Sequence, residues 1–92
     1  MRYIAVRWHH SSREYPVDLY SELDDERWEQ RKVEVYADGH SDYADATESI
    51  GSTMLGLAPV PPLDEIAGDA QFTPREITQQ EFEALWSMRK SQ

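Results

Sequence analysis

From Arg2 to His10 the chain alternates on a period of two. Ile4, Val6 and Trp8 point one way, and Tyr3, Ala5, Arg7 and His9 point the other. That pattern predicts a half-buried strand. Residues 11–14 are polar and turn-like, and Pro16 suits the first residue of a second strand, where its missing N–H is harmless. In that strand Val17, Leu19, Ser21 and Leu23 share one face, with Asp18, Tyr20 and Glu22 opposite. Asp24-Asp25-Glu26-Arg27 reads as a turn. A third strand then puts Arg31, Val33, Val35 and Ala37 on one face, and Trp28, Gln30, Lys32, Glu34 and Tyr36 on the other. A bulge near the turn would shift Trp28 between faces. Asp38-Gly39 predicts a type I′ hairpin turn, with residues 40–46 as a shorter fourth strand anchored by Tyr43.

Periodicity is lost from Thr47 to Pro62, where Gly51, Gly56, Pro59, Pro61 and Pro62 punctuate the chain. This stretch reads as a loop crossing the sheet, held by Met54, Leu55, Leu57 and Val60. Residues 63–67 suit one or two helical turns, with Asp64 and Glu65 favourably near the N-terminus. Phe72 is expected to plug into the core from the following connection. Thr78 and Glu81 then form a capping box, and Ile77 and Phe82 a hydrophobic staple. Phe82, Leu85, Trp86 and Arg89 repeat at helical spacing, an amphipathic stripe predicted to lie on the Ile4/Val6/Val33/Val35 face. The expected architecture is a single α+β domain over residues 1–92. It is a two-layer sandwich of about four antiparallel strands with a C-terminal helix packed on one face.

Composition narrows the function classes. The 92 residues include no cysteine, which excludes disulfides and thiolate metal sites. No apolar run approaches the ~20 residues of a membrane span, and the charged N-terminal stretch does not read as a signal peptide, so a cytoplasmic location is expected. The net charge is −9, and Arg89 and Lys90 are two of the three bases beyond residue 40. Such a field repels phosphate backbones and argues against direct nucleic-acid binding; it suits a basic partner or simply solubility.

Motifs with a chemical mechanism are missing: there is no Gly-x-Ser-x-Gly elbow, P-loop or dinucleotide fingerprint. His9 and His10 point to opposite sides of a strand and cannot easily chelate one ion, so no metal site is expected from them with His40. Asp24-Asp25-Glu26 lacks the spacing of a calcium loop. No cofactor is expected. The face opposite the helix, with Tyr3, Arg7, Tyr20, Trp28, Lys32 and Tyr36, carries residue types enriched in interface hot spots. Two covers for it stay open: the chain's own 47–72 segment, or a partner.

One stretch ties these elements together: Tyr20-Ser21-Glu22-Leu23-Asp24, through Trp28-Glu29-Gln30-Arg31-Lys32-Val33-Glu34-Val35-Tyr36, to Asp38-Gly39. With the opening Arg7-Trp8-His9-His10, Leu55-Gly56, Leu63-Asp64-Glu65-Ile66-Ala67, Phe72, and Ile77 through Glu81-Phe82-Glu83 to Trp86, it resembles an uncharacterised family of small stand-alone bacterial proteins, a domain of unknown function. The resemblance implies a small cytoplasmic bacterial protein of a kind associated with toxins and other conflict systems, and it carries over no catalytic residue. The resulting expectation is a non-enzymatic acidic protein-interaction domain, such as an immunity-type inhibitor of a basic toxin. Its partner-binding residues would be Tyr20, Trp28, Tyr36, Asp24, Asp25 and Glu26. Three alternatives stay open: a nucleic-acid-mimicking inhibitor from a phage or mobile element, a small enzyme or ligand-binding domain using His10 or His40, and a homodimer pairing through the outer sheet face.

Overall fold

The computed structural model describes residues 1–51 and 53–88. Five strands, β1 (Arg2–Trp8), β2 (Asp18–Leu23), β3 (Glu29–Val35), β4 (Ser41–Ala44) and β5 (Phe72–Glu76), form one antiparallel sheet in the order β4-β3-β2-β1-β5. Helix α1 (Leu63–Ala67) precedes β5 and α2 (Gln79–Met88) follows it. The fold is α+β, with one strand more than the sequence pattern predicts. The segment expected to be a connection carrying Phe72 is β5, which pairs with β1 so that Val6 faces Pro74 and Trp8 faces Phe72. Pro74 hides the strand from a propensity reading, yet an edge strand is where a proline is tolerated. No helix among the described residues is long and apolar enough to cross a membrane.

Register decides which residues share a face. Ala5 pairs with Tyr20, Tyr20 with Val33, and Val33 with Tyr43. Ile4 pairs with Ser21, Ser21 with Lys32, and Lys32 with Ala44. The expected Ile4/Val6/Val33/Val35 face therefore does not exist. The two valines of β3 lie on the face of Tyr3 and Ala5, while Ile4 and Val6 lie on the other. Helix α2 packs on the first of these, where Tyr3, Ala5, Ile77 and Phe82 form a buried cluster joined by Tyr20 and Trp86. On the second face Ile4, Val6 and Leu23 are covered by Leu19, Val60, Leu63, Ile66 and Phe72. The sheet thus carries cover on both faces instead of the one expected, the second cover built from α1 and the irregular segment before it.

Both hairpins of the β2–β3–β4 ribbon use the same three-residue loop. Asp24 N–H donates to Trp28 O (3.0 Å) and Arg27 N–H to Asp24 O (2.9 Å); Tyr36 N–H donates to His40 O and Gly39 N–H to Tyr36 O, both at 2.9 Å. Each loop closes with one left-handed residue, Arg27 (φ 69°) and Gly39 (φ 93°). The second hairpin is therefore not the expected type I′ turn, which needs positive φ at Asp38 as well. The predicted bulge is present: Glu22 pairs with Arg31 and Leu23 with Glu29, which leaves Gln30 as the extra residue and starts β3 after Trp28.

Helix α2 begins as its sequence predicts. Glu81 N–H donates to Thr78 Oγ1 at 3.0 Å, Thr78 N–H reaches back to Glu81 Oε1 at 3.4 Å, and the staple residues Ile77 and Phe82 are both buried. Arg89, the last position of the predicted stripe, lies outside the described residues. Phe82 is completely buried and is the residue by which the helix enters the core. Phe82→Ala is expected to cost about 3–5 kcal/mol. Leu57→Ala, at a side chain 90% exposed, should change stability by less than ~0.5 kcal/mol. Urea denaturation of the two variants beside the parent checks both values.

Candidate functional site

The six residues expected to bind a partner separate into four environments. Tyr20 lies under α2, packed on the Tyr3/Ala5/Phe82 cluster. Tyr36 is buried and stacks on the His40 ring, with centroids 4.2 Å apart and planes within 8°. Asp24 builds the β2–β3 turn: its carboxylate accepts the N–H groups of Glu26 and Trp28, both at 2.9 Å, and the Gln30 amide at 3.2 Å. Only Trp28, Asp25 and Glu26 are brought together on the surface, at the turn itself. The aromatic face expected opposite the helix does not form: Tyr3 and Tyr20 lie on the side that α2 covers, while Lys32 lies on the other with Glu29 and Glu34.

The histidines serve local structure. His10 Nε2 donates to Pro16 O at 2.8 Å while its Nδ1 accepts the Ser12 N–H at 3.1 Å, which specifies the neutral Nε2–H tautomer and shapes the β1–β2 connection. His9 Nε2 meets Thr73 Oγ1 across the β1–β5 pair at 2.7 Å. His40 Nδ1 donates to Asp38 Oδ1 at 2.5 Å on the exposed β3–β4 hairpin. The backbone N–H of His40, and then its ring, hold the Asp38 carboxyl below its ordinary range. His10 and His40 thus occupy different loops, and no group of three or more His, Asp or Glu among the described residues is arranged to hold a metal ion.

The strongest polar constellation was not singled out by sequence: Arg31 on β3. Its guanidinium grips Glu22 with two bonds (2.9 and 2.7 Å) and Glu83 of α2 with two more (3.0 and 2.7 Å). It also lies over the rings of Phe82 and Trp86, 5.0 and 5.1 Å from their centroids. Planar bidentate pairing and ring stacking both require arginine rather than lysine. The Arg31 hydrogen bonds hold the Glu22 and Glu83 carboxyls below their ordinary value and raise the guanidinium's own pKa further. Burial, and then a hydrogen bond to Glu22, push the Tyr3 phenol up; burial does the same to Tyr20.

A second network sits on the opposite face. Lys32 Nζ lies 3.3 Å from Glu29 and 3.9 Å from Glu34, with all three side chains mostly covered. Glu29 also accepts the Ser21 hydroxyl (3.1 Å) and the Gly56 N–H (2.6 Å), and Glu34 accepts the Thr53 hydroxyl. These bonds tie the irregular segment to β3. Farther along, Arg27 Nε and Nη2 donate to Val60 O and Pro61 O at 2.7 and 2.8 Å. Between the strapped segment, α1 and the sheet lies an open cavity of about 430 Å³, walled by Ile4, Val6, Leu19, Val60, Ile66 and Phe72, with Ser21, Glu29 and Lys32 at its polar end and Glu65 and Asp69 on its α1 side. A neighbouring cavity of about 460 Å³ shares Ile4 and is lined by Asp25, Asp64 and Glu76 together with Arg2 and Arg27. The groove draws on residues from six separate stretches of chain, so no local pattern announces it.

Residues 2–91 match the family model described as domain of unknown function DUF6881. The chain belongs to that family. No curated protein and no solved structure matches it.

Removing Arg31 leaves Glu22 buried without its partner, and Arg31→Ala is expected to cost ~2–4 kcal/mol, with Arg31→Lys recovering little. Glu83 is much more exposed than Glu22, so Glu83→Gln should cost less than ~1 kcal/mol. A double-mutant cycle in urea between Arg31 and each glutamate measures the two limbs. Stability should also depend on pH in two windows. Glu22 and Glu83 have folded pKa values below the ordinary 4.5. The unfolded chain therefore binds more protons there, and their contribution is full above about pH 4.5 and lost as pH falls through the folded values. Tyr3 and Tyr20 are raised above 10.0; their contribution is full below pH 10 and lost as pH rises through the folded values. Urea midpoints across pH check both limbs, and Glu22→Gln should flatten the acid one.

Proposed function

We propose that this member of the DUF6881 family is a non-enzymatic acidic interaction domain whose partner is a basic protein, acting as an immunity-type inhibitor that covers a cationic surface. The observation that carries the reading is how the chain uses its cations. Arg2, Arg7, Arg31, Lys32 and Arg75 each pair with a carboxylate of the chain itself, and Arg27 is held by two carbonyls. The exposed carboxylates, among them Glu14, Asp25, Glu26, Asp64, Glu65 and Asp69, carry the surplus of a net charge of −9 outward. A field of that sign accelerates encounter with a basic surface and disfavours acidic competitors.

Support for the alternatives is thinner. The carboxylates beyond residue 38 are divided between opposite sides of the sheet, with Glu81 and Glu83 on α2 and Asp64 and Glu65 on α1, whereas a phosphate-backbone mimic needs them in one row. Both ring nitrogens of His10 are committed within its own connection, and the His40–Asp38 pair stands on an exposed hairpin rather than in an enclosed cleft.

The test is co-purification with the tagged chain from source cells, followed by titration of the purified partner at low and high salt. The expected partner is basic, binds at micromolar concentration or tighter, and associates ~10-fold more slowly when salt rises from about 50 to 300 mM, with dissociation nearly unchanged. A partner of neutral or acidic charge, or none at micromolar concentration, would overturn the reading.

A further inference from the structure

Helix α1 has five residues and spans roughly 7–8 Å, whereas the seven residues of β1 beneath it extend over roughly 23 Å. A cover this short cannot close over the whole second face of the sheet. What it leaves is the apolar groove of about 430 Å³, within the range of sites that take a bulky apolar group. The exposed charge on its α1 side is acidic. Glu65 and Asp69 are exposed on the α1 side, and α1 has no basic residue in its last turn. Lys32, the base that lines the groove, is held at its inner end by Glu29 and Glu34.

We infer that this groove is the docking site for a basic segment of a partner protein, seating one of its apolar side chains against Ile4, Val6 and Phe72 while flanking lysines or arginines face Glu65 and Asp69. The inference rests on the proposed function and adds the place and the chemistry. Burial of one aromatic side chain supplies the affinity, since such a group buries ~150–250 Å². The two carboxylates supply charge complementarity at the rim, where they govern association rate and partner choice. An acidic or purely polar segment would meet either repulsion or an unsatisfied apolar wall.

The test uses the full chain, isotope-labelled, and an amidated probe peptide with a single phenylalanine flanked on each side by lysines. A second probe replaces the phenylalanine by serine. The expected result is saturable amide shift changes at Val6, Ile66 and Phe72 with the first probe, and binding at least ~10-fold weaker with the second, a difference of about 1.4 kcal/mol. The double charge reversal E65K/D69K should weaken the first probe at least ~10-fold, while E14K/E48K, with the same change in net charge, should leave it within about twofold. All four substitutions are at exposed positions, and dispersed amide spectra verify that the variants fold. Equal binding of the two probes, equal loss in the two double variants, or shifts centred on Asp25, Glu26 and Trp28 would each overturn the groove while leaving the acidic interaction reading intact. No saturable shift with either probe would also overturn the groove; the partner titration above decides the broader reading separately.

Discussion

Arg31 is the point at which helix and sheet are fastened. Of the residues of α2, only Phe82 is fully covered, and one aromatic gives a ten-residue helix little grip. The guanidinium supplies the rest: it lies over Phe82 and Trp86 and joins Glu22 of β2 to Glu83 of α2. The Glu22 limb is covered enough that its carboxylate must be paired, and that pairing is coupled to Tyr3 by a further hydrogen bond. A polar group with one allowed partner arrangement specifies where the helix sits more narrowly than apolar contact does.

That arrangement depends in turn on the bulge at Gln30. Without it, the stretch around Glu29 would keep the face it has in strict alternation, and Glu29 would lie with Arg31 on the α2 side. With it, Arg31 pairs with Glu22 on the α2 side while Glu29 falls opposite Leu23 on the other. One extra residue thus sends two charged side chains to two different networks. The first fixes the helix, and the second fixes the irregular segment through Gly56 and, by way of Glu34, Thr53.

The second face is where the fold leaves room. Its cover is assembled from Val60, Leu63, Ile66 and Phe72, held in place largely by side-chain bonds from Arg27, Glu29 and Glu34 to backbone or hydroxyl groups. A cover strapped at its ends and only five residues long where it is helical encloses an apolar space without filling it. Glu65 and Asp69 border that space, so the cover that stabilises the second face also shapes the surface around the groove.

Much of the fold is written locally. The alternation of β1 and β2, the turn at Asp24, the helix at residues 63–67, and the capping box at Thr78 all depend on neighbours a few residues away, and their physical signals survive in one dimension. Pro74 concealed β5 because edge position is a property of the sheet and not of the strand. Face assignment failed at Ile4 and Val6 for a similar reason: alternation says which residues share a side within a strand, but only pairing register says which sides coincide between strands. Tyr20 looked available because its cover, α2, is distant in sequence; Tyr36 is stacked by His40 only four residues on, but that contact follows from how the hairpin closes and not from strand alternation. The Arg31 fork and the α1 groove join side chains dozens of residues apart. The sequence alone determined the α+β class, the acidic surplus and the ribbon; tertiary structure alone decided which charges are spent on holding the fold together and which remain facing outward.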